Sequence, residues 1–222
     1  MNNTYIIGDV HGCLYTLKVL LTKLPKNANI IFVGDLIDKG NFSKEVISLV
    51  IENNYQCILG NHEALMINHI EDALLHQKES DWSTKKYFGG YKTIASYSDD
   101  MTTLKEHLSW LKTLPRYMEI DKYFITHAFA LPYYKRRNNP NSYNGLMSNR
   151  PSDIDEWGWD WEDEYENYDV INIYGHQIVK KIDTSKNHIG IDTGAYRGYC
   201  LSAMCLDSKE IISVSTDIRD VK

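Results

Sequence analysis

Three times in its opening third the chain runs through a short apolar stretch into a glycine-flanked group of oxygen and imidazole side chains. These are Gly8-Asp9-Val10-His11-Gly12, Gly34-Asp35-Leu36-Ile37-Asp38-Lys39-Gly40 and Gly60-Asn61-His62-Glu63. Short apolar runs bounded by glycine read as buried strands, and a helical pattern follows each. Leu14, Leu17, Leu20, Leu21 and Leu24 recur at helical spacing until Pro25, a second helix spans about Ser43 to Asn53, and a third opens at Gly60-Asn61-His62-Glu63. A βαβαβα order makes the first three strands parallel, with their carboxyl ends on one side. Open parallel sheets bind ligands at those ends, where all three motifs fall.

From Asp81 to Leu114 the pattern is mostly helical, with a break at Gly89-Gly90 and a stop at Pro115. The period then changes. Tyr117-Ile120, Tyr123-Thr126, Val170-Tyr174, His188-Ile191, Leu201-Asp207 and Ile211-Ser215 read as strands, without clear helices between the last four, which predicts a second, more antiparallel sheet. The fold class expected is α/β: a sandwich of two mixed β-sheets flanked by helices. Because candidate ligands run from Asp9 to His176, residues 1–222 are read as a single domain. Residues 128–169 form a long, weakly periodic region flanking the site. Its later part, 153–169, carries nine carboxylates, no Lys or Arg, and Trp157, Trp159 and Trp161, and is read as a half-buried lid with a solvated acidic edge.

Composition closes off several classes. A net charge of −6 disfavours a nucleic-acid backbone binder, which wants a basic face. No apolar run approaches the roughly 18 residues of a membrane span, and Met1-Asn2-Asn3-Thr4 lacks the basic start of a secretory signal. Cys13, Cys57, Cys200 and Cys205 form no CxxC pair, and Cys13 and Cys57 sit in apolar surroundings as reduced core thiols do, so a cytoplasmic enzyme is expected.

Two further histidines, His127 after Thr126 and His176 after Gly175, follow apolar runs in the same manner. Asp, Asn and His delivered from five strand ends make the ligand inventory of a two-metal hydrolytic centre, suited to Mn²⁺, Fe or Zn²⁺ and without the thiolates of a closed structural zinc site. Asp35, at the end of the central strand, is read as the bridging ligand. Asp9 and His11, at alternate positions, reach one metal; Asn61, His127 and His176 complete the other. Water bridging two such cations loses a proton near neutral pH and attacks directly, so no protein nucleophile is required. His62 borders the metals without binding one and is placed to protonate the leaving oxygen, with Asp38 holding its ring. Lys39 and Arg150 are the candidate phosphate cations, together with Asn61 and, behind them, Arg136 and Arg137.

The combined motifs, with Ile191-Asp192-Thr193-Gly194-Ala195 as a late element, resemble the phosphoprotein phosphatase family of calcineurin-like metallophosphoesterases, especially its compact bacterial and phage members typified by the lambda phosphatase. The resemblance runs in motif order through nearly the whole chain. It implies the calcineurin-like sandwich, two divalent metals that are usually Mn²⁺ in bacterial members, ligands Asp9, His11, Asp35, Asn61, His127 and His176, and the acid pair His62 and Asp38. Two positions depart from the pattern: Lys39 and Leu59 stand where most family protein phosphatases carry Arg. Lys keeps the charge but loses the bidentate fork. An apolar residue before Gly-Asn-His resembles the symmetrical diadenosine tetraphosphatases, whereas Asp38 and Glu63 resemble the protein phosphatase branch.

The function expected is therefore binuclear-metal-dependent hydrolysis of phosphomonoesters, with phosphoserine or phosphothreonine in a protein as substrate. The alternative is a symmetrical dinucleoside polyphosphate or nucleotide-capped RNA hydrolase. A non-catalytic binding module would require a lost ligand or acid, and none is missing. His69, His76, His107 and His188 are read as lying on solvated faces, since the metals are already supplied.

Overall fold

The computed structural model describes residues 3–97, 100–151 and 168–222. The expected βαβαβα order is present: β1 (Thr4–Ile7), α1 (Leu14–Lys23), β2 (Asn29–Phe32), α2 (Ser43–Glu52), β3 (Gln56–Cys57) and α3 (Asn61–Leu75). β1 pairs parallel with β2 and β2 parallel with β3. Helices α4 (Asp81–Thr84), α5 (Gly90–Tyr97) and α6 (Met101–Leu111) follow, then β4 (Tyr117–Ile120) and β5 (Tyr123–Thr126).

The side-chain alternation of a strand builds the layers. Tyr5, Ile7, Ile30 and Phe32 point to one face of the first sheet and pack with Leu14, Leu17, Val46, Val50, Met66 and Leu104 of the helices. Ile6, Ile31 and Val33 point to the other and meet Tyr123, Ile125, Ile173 and Ile189 of the second sheet. Beyond that sheet, Phe124 and Tyr174 are covered by Leu131 and Leu146. Helices, two sheets and a further helical cover therefore stack in that order.

The sheets differ from expectation in membership. β8 (Cys200–Cys205) and β9 (Ile211–Ser215) join the first sheet, whose order is β3-β2-β1-β8-β9. β8 runs antiparallel to β1 with Ile6 opposite Met204, so the period of two sends Met204 into the core between the sheets. The second sheet is β4-β5-β6-β7, with β6 (Ile171–Tyr174) and β7 (His188–Gly190), and only its β4–β5 pair is antiparallel. A parallel β5–β6 pair needs a long crossover, which accounts for the long region after His127. Part of it is regular: two 3₁₀ turns at Leu131–Arg136 and Pro140–Ser142, then α7 (Tyr143–Ser148). The tryptophan-bearing acidic stretch lies outside the described residues except for Tyr168 and Asp169. A short helix, α8 (Ile218–Val221), closes the chain; its Asp220 accepts hydrogen bonds from Thr16 and from the backbone N–H of Tyr15 on α1.

The histidines outside the motifs are less solvated than expected. His107 is buried, with Nδ1 2.7 Å from Tyr97 Oη and Nε2 3.3 Å from Ser48 Oγ. His69 stacks on Trp82, His188 sits half-buried beside Tyr174, and only His76 is exposed. Residues of neighbouring helices cover His107 and His69, and Tyr174 of the adjacent strand with Phe129 covers His188, contacts that no single-element reading shows.

Candidate metal centre and active site

The motif loops turn sharply. His11, Asp35, Asp38, Lys39 and His176 all have positive φ, an arrangement that non-glycine residues adopt where surrounding contacts enforce it. Glu63 enforces one such contact. Its buried carboxylate accepts the backbone N–H groups of Asp35 (2.8 Å), Leu36 (2.8 Å) and Gly60 (3.0 Å), clamping the second motif to the third. Gly34 is required here: it has a φ of 91°, and a Cβ on it would lie 2.6 Å from Gly60 N. Burial, then the Asp35 charge, pushes the Glu63 carboxyl up to about 7.

Asp35 lies at the centre. Its Oδ1 accepts the His62 backbone N–H, and its Oδ2 stands 3.3 Å from His127 Nε2, 3.6 Å from His11 Nε2 and 3.9 Å from His62 Nε2. The tautomers follow from the partners on the other ring nitrogens. His11 Nδ1 donates to the Ile37 carbonyl and His127 Nδ1 to the Val33 carbonyl, both at 2.7 Å. A carbonyl oxygen can only accept, so in the neutral rings both Nε2 lone pairs face the Asp35 oxygen. Asn61 Oδ1 adds another acceptor, 2.8 Å from His127 Nε2 and 3.0 Å from His176 Nδ1. Lone pairs converging in a buried space call for a cation, and the donor set of carboxylate, amide oxygen and imidazole suits a divalent transition metal. Two groups of donors lie within 4.8 Å of one another, His11/Asp35/His62 and Asp35/His127/His176, and both contain Asp35.

The buried charges show how strongly this space holds positive charge, a proton on His127 occupying the place that a bound cation would take. Burial, then neighbouring Asp192, holds the Asp9 carboxyl well above the usual carboxylate range, and burial lifts Asp192 to about 6. Burial opposes ionisation of Asp35 as well, but the imidazoles of His127, His62 and His11 bring it well below its ordinary value. Burial lowers His176 to about 3, whereas in His127 the Asp35 charge overrides burial and raises the ring to about 10. Asp9 sits at the edge, with both carboxylate oxygens accepting the His176 backbone N–H at 3.2 and 3.0 Å.

His62 Nδ1 is 2.6 Å from Asp38 Oδ2. Asp38 is itself held by Trp82 Nε1, which donates to Oδ2 at 2.7 Å, and by the Thr93 hydroxyl, which donates to Oδ1. Sequence reasoning missed both supports because α4 and α5 reach Asp38 only through the tertiary fold. His62 faces a cavity of about 320 Å³ whose walls include His11, Asp35, Asn61, His176, Lys39 and Arg150, so four of the expected ligands and both leading phosphate cations meet there, while Asp9 and His127 do not line it. Tyr87, Tyr196 and Arg197 also line it and were not anticipated, although Tyr196 and Arg197 closely follow Asp192 in sequence. Arg136 and Arg137 do not come to this cavity: Arg136 lies over Tyr133, and Arg137 pairs with Glu119 at 3.0 Å. The third helix, α3, begins at Asn61, so its N-terminus adds a favourable field for an anion.

Comparison with known proteins agrees with this geometry. The family model described as calcineurin-like phosphoesterase matches residues 3–202. The asymmetrical bis(5'-nucleosyl)-tetraphosphatase PrpE of Anoxybacillus flavithermus is 27% identical, over 94% of this chain and 92% of its own length. Serine/threonine-protein phosphatase 2 of Salmonella typhimurium is 29% identical, over 86% of this chain and 87% of its own. Among solved structures, that of a candidate diadenosine tetraphosphatase superposes with a TM-score of 0.70 at 20% identity, covering 98% of this chain and 95% of that one. The tetraphosphatase relatives carry the asymmetrical name, so the expected alternative of symmetrical cleavage gains no support over the main reading.

Proposed function

The chain belongs to the calcineurin-like phosphoesterase family and is a phosphoric ester hydrolase, and from that premise we propose that residues 1–222 act as one domain that hydrolyses phosphomonoesters, with phosphoserine and phosphothreonine in proteins as the leading substrates. Two divalent cations, when bound, would supply an activated water and the Lewis-acid charge that grips the phosphoryl oxygens. Asp9, His11 and Asp35 would hold one, and Asp35, Asn61, His127 and His176 the other. Imidazole and amide donors favour Mn²⁺ or another transition metal over Mg²⁺.

The observation that carries the reading is the His62–Asp38 pair at the lip of the Asp35 cluster. Asp38 orients the ring through Nδ1, which leaves Nε2 facing the cavity as a proton donor to the departing oxygen. A serine alkoxide needs that proton. Lys39, Arg150 and Arg197 around the same cavity offset the charge of the phosphoryl group and keep it oriented. Three cations exceed the need of one phosphoryl group. That favours, as a second reading, asymmetrical cleavage of a dinucleoside polyphosphate, the activity in the name of one group of relatives. The four thiols are free, Cys13, Cys57 and Cys205 being buried, which supports a reducing, cytoplasmic setting.

The test exploits leaving-group need. His62→Asn should cost roughly 10²–10⁴ in kcat on a phosphoserine peptide and markedly less on nitrophenyl phosphate, whose phenolate departs unaided, with metal content nearly unchanged. Equal losses on both substrates, with chemistry limiting the rate, would remove His62 from the acid role.

A further inference from the structure

Beyond Lys39 the cavity opens into a neighbouring groove of about 420 Å³. Lys39, Tyr87, Tyr196 and Arg197 form the wall common to both spaces; Lys86, Lys92 and Tyr91 lie only on the far side. No Asp or Glu lines the groove among the described residues, although the chain carries 30 acidic against 24 basic residues. Four cations and three tyrosines are therefore gathered beside the reacting centre of an acidic protein.

The arrangement is built rather than incidental. Gly89, with a φ of 82°, packs so closely on the second motif that a Cβ would lie 2.5 Å from Lys39 N, which docks the Lys86–Tyr87 segment against the Lys39 loop. Lys92 Nζ donates to Asn41 Oδ1 at 2.9 Å. Lys39 Nζ lies 4.4 Å from the Tyr196 ring centroid, and Arg197 Nε donates to the Tyr196 hydroxyl. Tyr87 and Tyr91 are 72% and 41% exposed, leaving ring surface open beside the cations.

A lone phosphoryl group needs no more than the cations facing the metal cavity, and Arg197 on the shared wall can already turn to a second phosphate. Lys86 and Lys92 lie outside that cavity, so the charge they answer belongs to another part of the same substrate. A peptide flanking a phosphoserine brings a negative charge there only where its sequence supplies Asp or Glu, whereas a polyphosphate chain brings one on every phosphate. Exposed tyrosine rings beside such cations suit a nucleobase, which stacks on aromatic faces. We propose that this groove is a binding subsite for the distal phosphates and base of a nucleoside polyphosphate arm, with Lys86, Lys92 and Arg197 holding phosphates and Tyr91 and Tyr87 the base. The proposal rests on the reading of the adjoining cavity as a phosphoester hydrolase site.

The test uses the whole chain with Mn²⁺ and the double variant Lys86→Ala/Tyr91→Ala, both positions being exposed and outside the metal cavity. KM for diadenosine tetraphosphate should rise about tenfold or more, the worth of one strong contact, while kcat/KM for nitrophenyl phosphate stays within about twofold. Tripolyphosphate as a competitive inhibitor separates the roles: its Ki should rise in Lys86→Ala and stay put in Tyr91→Ala. An unchanged KM for the tetraphosphate overturns the proposal, as does an equal loss on nitrophenyl phosphate. A loss confined to a phosphoserine peptide also overturns it and makes the groove a protein-binding surface. If the unsubstituted chain hydrolyses none of these compounds, the hydrolase reading fails on its own account. The groove is then judged by calorimetric titration with ATP, which the double variant should bind about tenfold more weakly; equal affinity overturns the subsite.

Discussion

Asp35 is the residue on which the site turns, because one of its oxygens faces three imidazoles and both candidate donor groups contain it. A carboxylate between two cations screens their mutual repulsion, whereas a terminal imidazole serves only one. Asp35→Asn should therefore lower the occupancy of both metals, and His176→Asn should chiefly empty one; metal counting on purified variants checks this. An Asp35→Asn protein that keeps two metals at unaltered affinity would refute the shared ligand. At this scale much was legible in the sequence. Asp9, His11, Asp35, Asn61, His62, His127 and His176 all stand directly after apolar runs, and strand ends that converge in one sheet sandwich bring them together. Trp82, Thr93, Tyr196 and Arg197 were not legible, since nothing in local periodicity says that a helix or turn elsewhere in the chain will lean on Asp38 or Lys39.

Among the elements, α5 links the acid pair to the helical layer. Thr93 on α5 donates to Asp38, and Tyr97 on the same helix contacts His107 of α6, whose other ring nitrogen lies near Ser48 of α2. Burial lowers the His107 ring from an ordinary 6.5 to about 4, with Asp100 opposing that shift and Lys44 reinforcing it. A histidine with a depressed folded-state pKa lends stability above its unfolded value, and that stability is lost as the pH falls from about 6.5 toward 4, because the unfolded chain takes up the proton first. The loss should reach about 2–3 kcal/mol near pH 4.5. His107→Gln should lack this increment, so the gap between the two urea-denaturation stabilities should narrow on acidification from pH 7 to 4.5; parallel pH curves would contradict the assignment. The strands show where sequence reasoning stops. Period-two patterns located β8 and β9 but could not name their partners, and pairing with β1 was decided by the register that sends Met204 inward.

At the scale of the whole molecule, two sheets share one core while their strand ends and connecting loops meet at a single cavity. The first sheet supplies Asp9, His11, Asp35 and Asn61 from the ends of β1, β2 and β3, and the second supplies His127 and His176 after β5 and β6. Neither sheet alone would complete the proposed ligand set, so metal binding should report the correct packing of one sheet on the other and raise thermal stability as well as activity. The most direct measurement is a metal titration of chelator-stripped protein that follows bound metal and phosphoester hydrolysis together. Activity should vanish with the metal and return with Mn²⁺ better than with Mg²⁺, reaching its plateau at about two equivalents per chain, one for each half of the Asp35-centred site. Undiminished hydrolysis by protein shown to contain no metal, or full activity at one equivalent, would contradict the account.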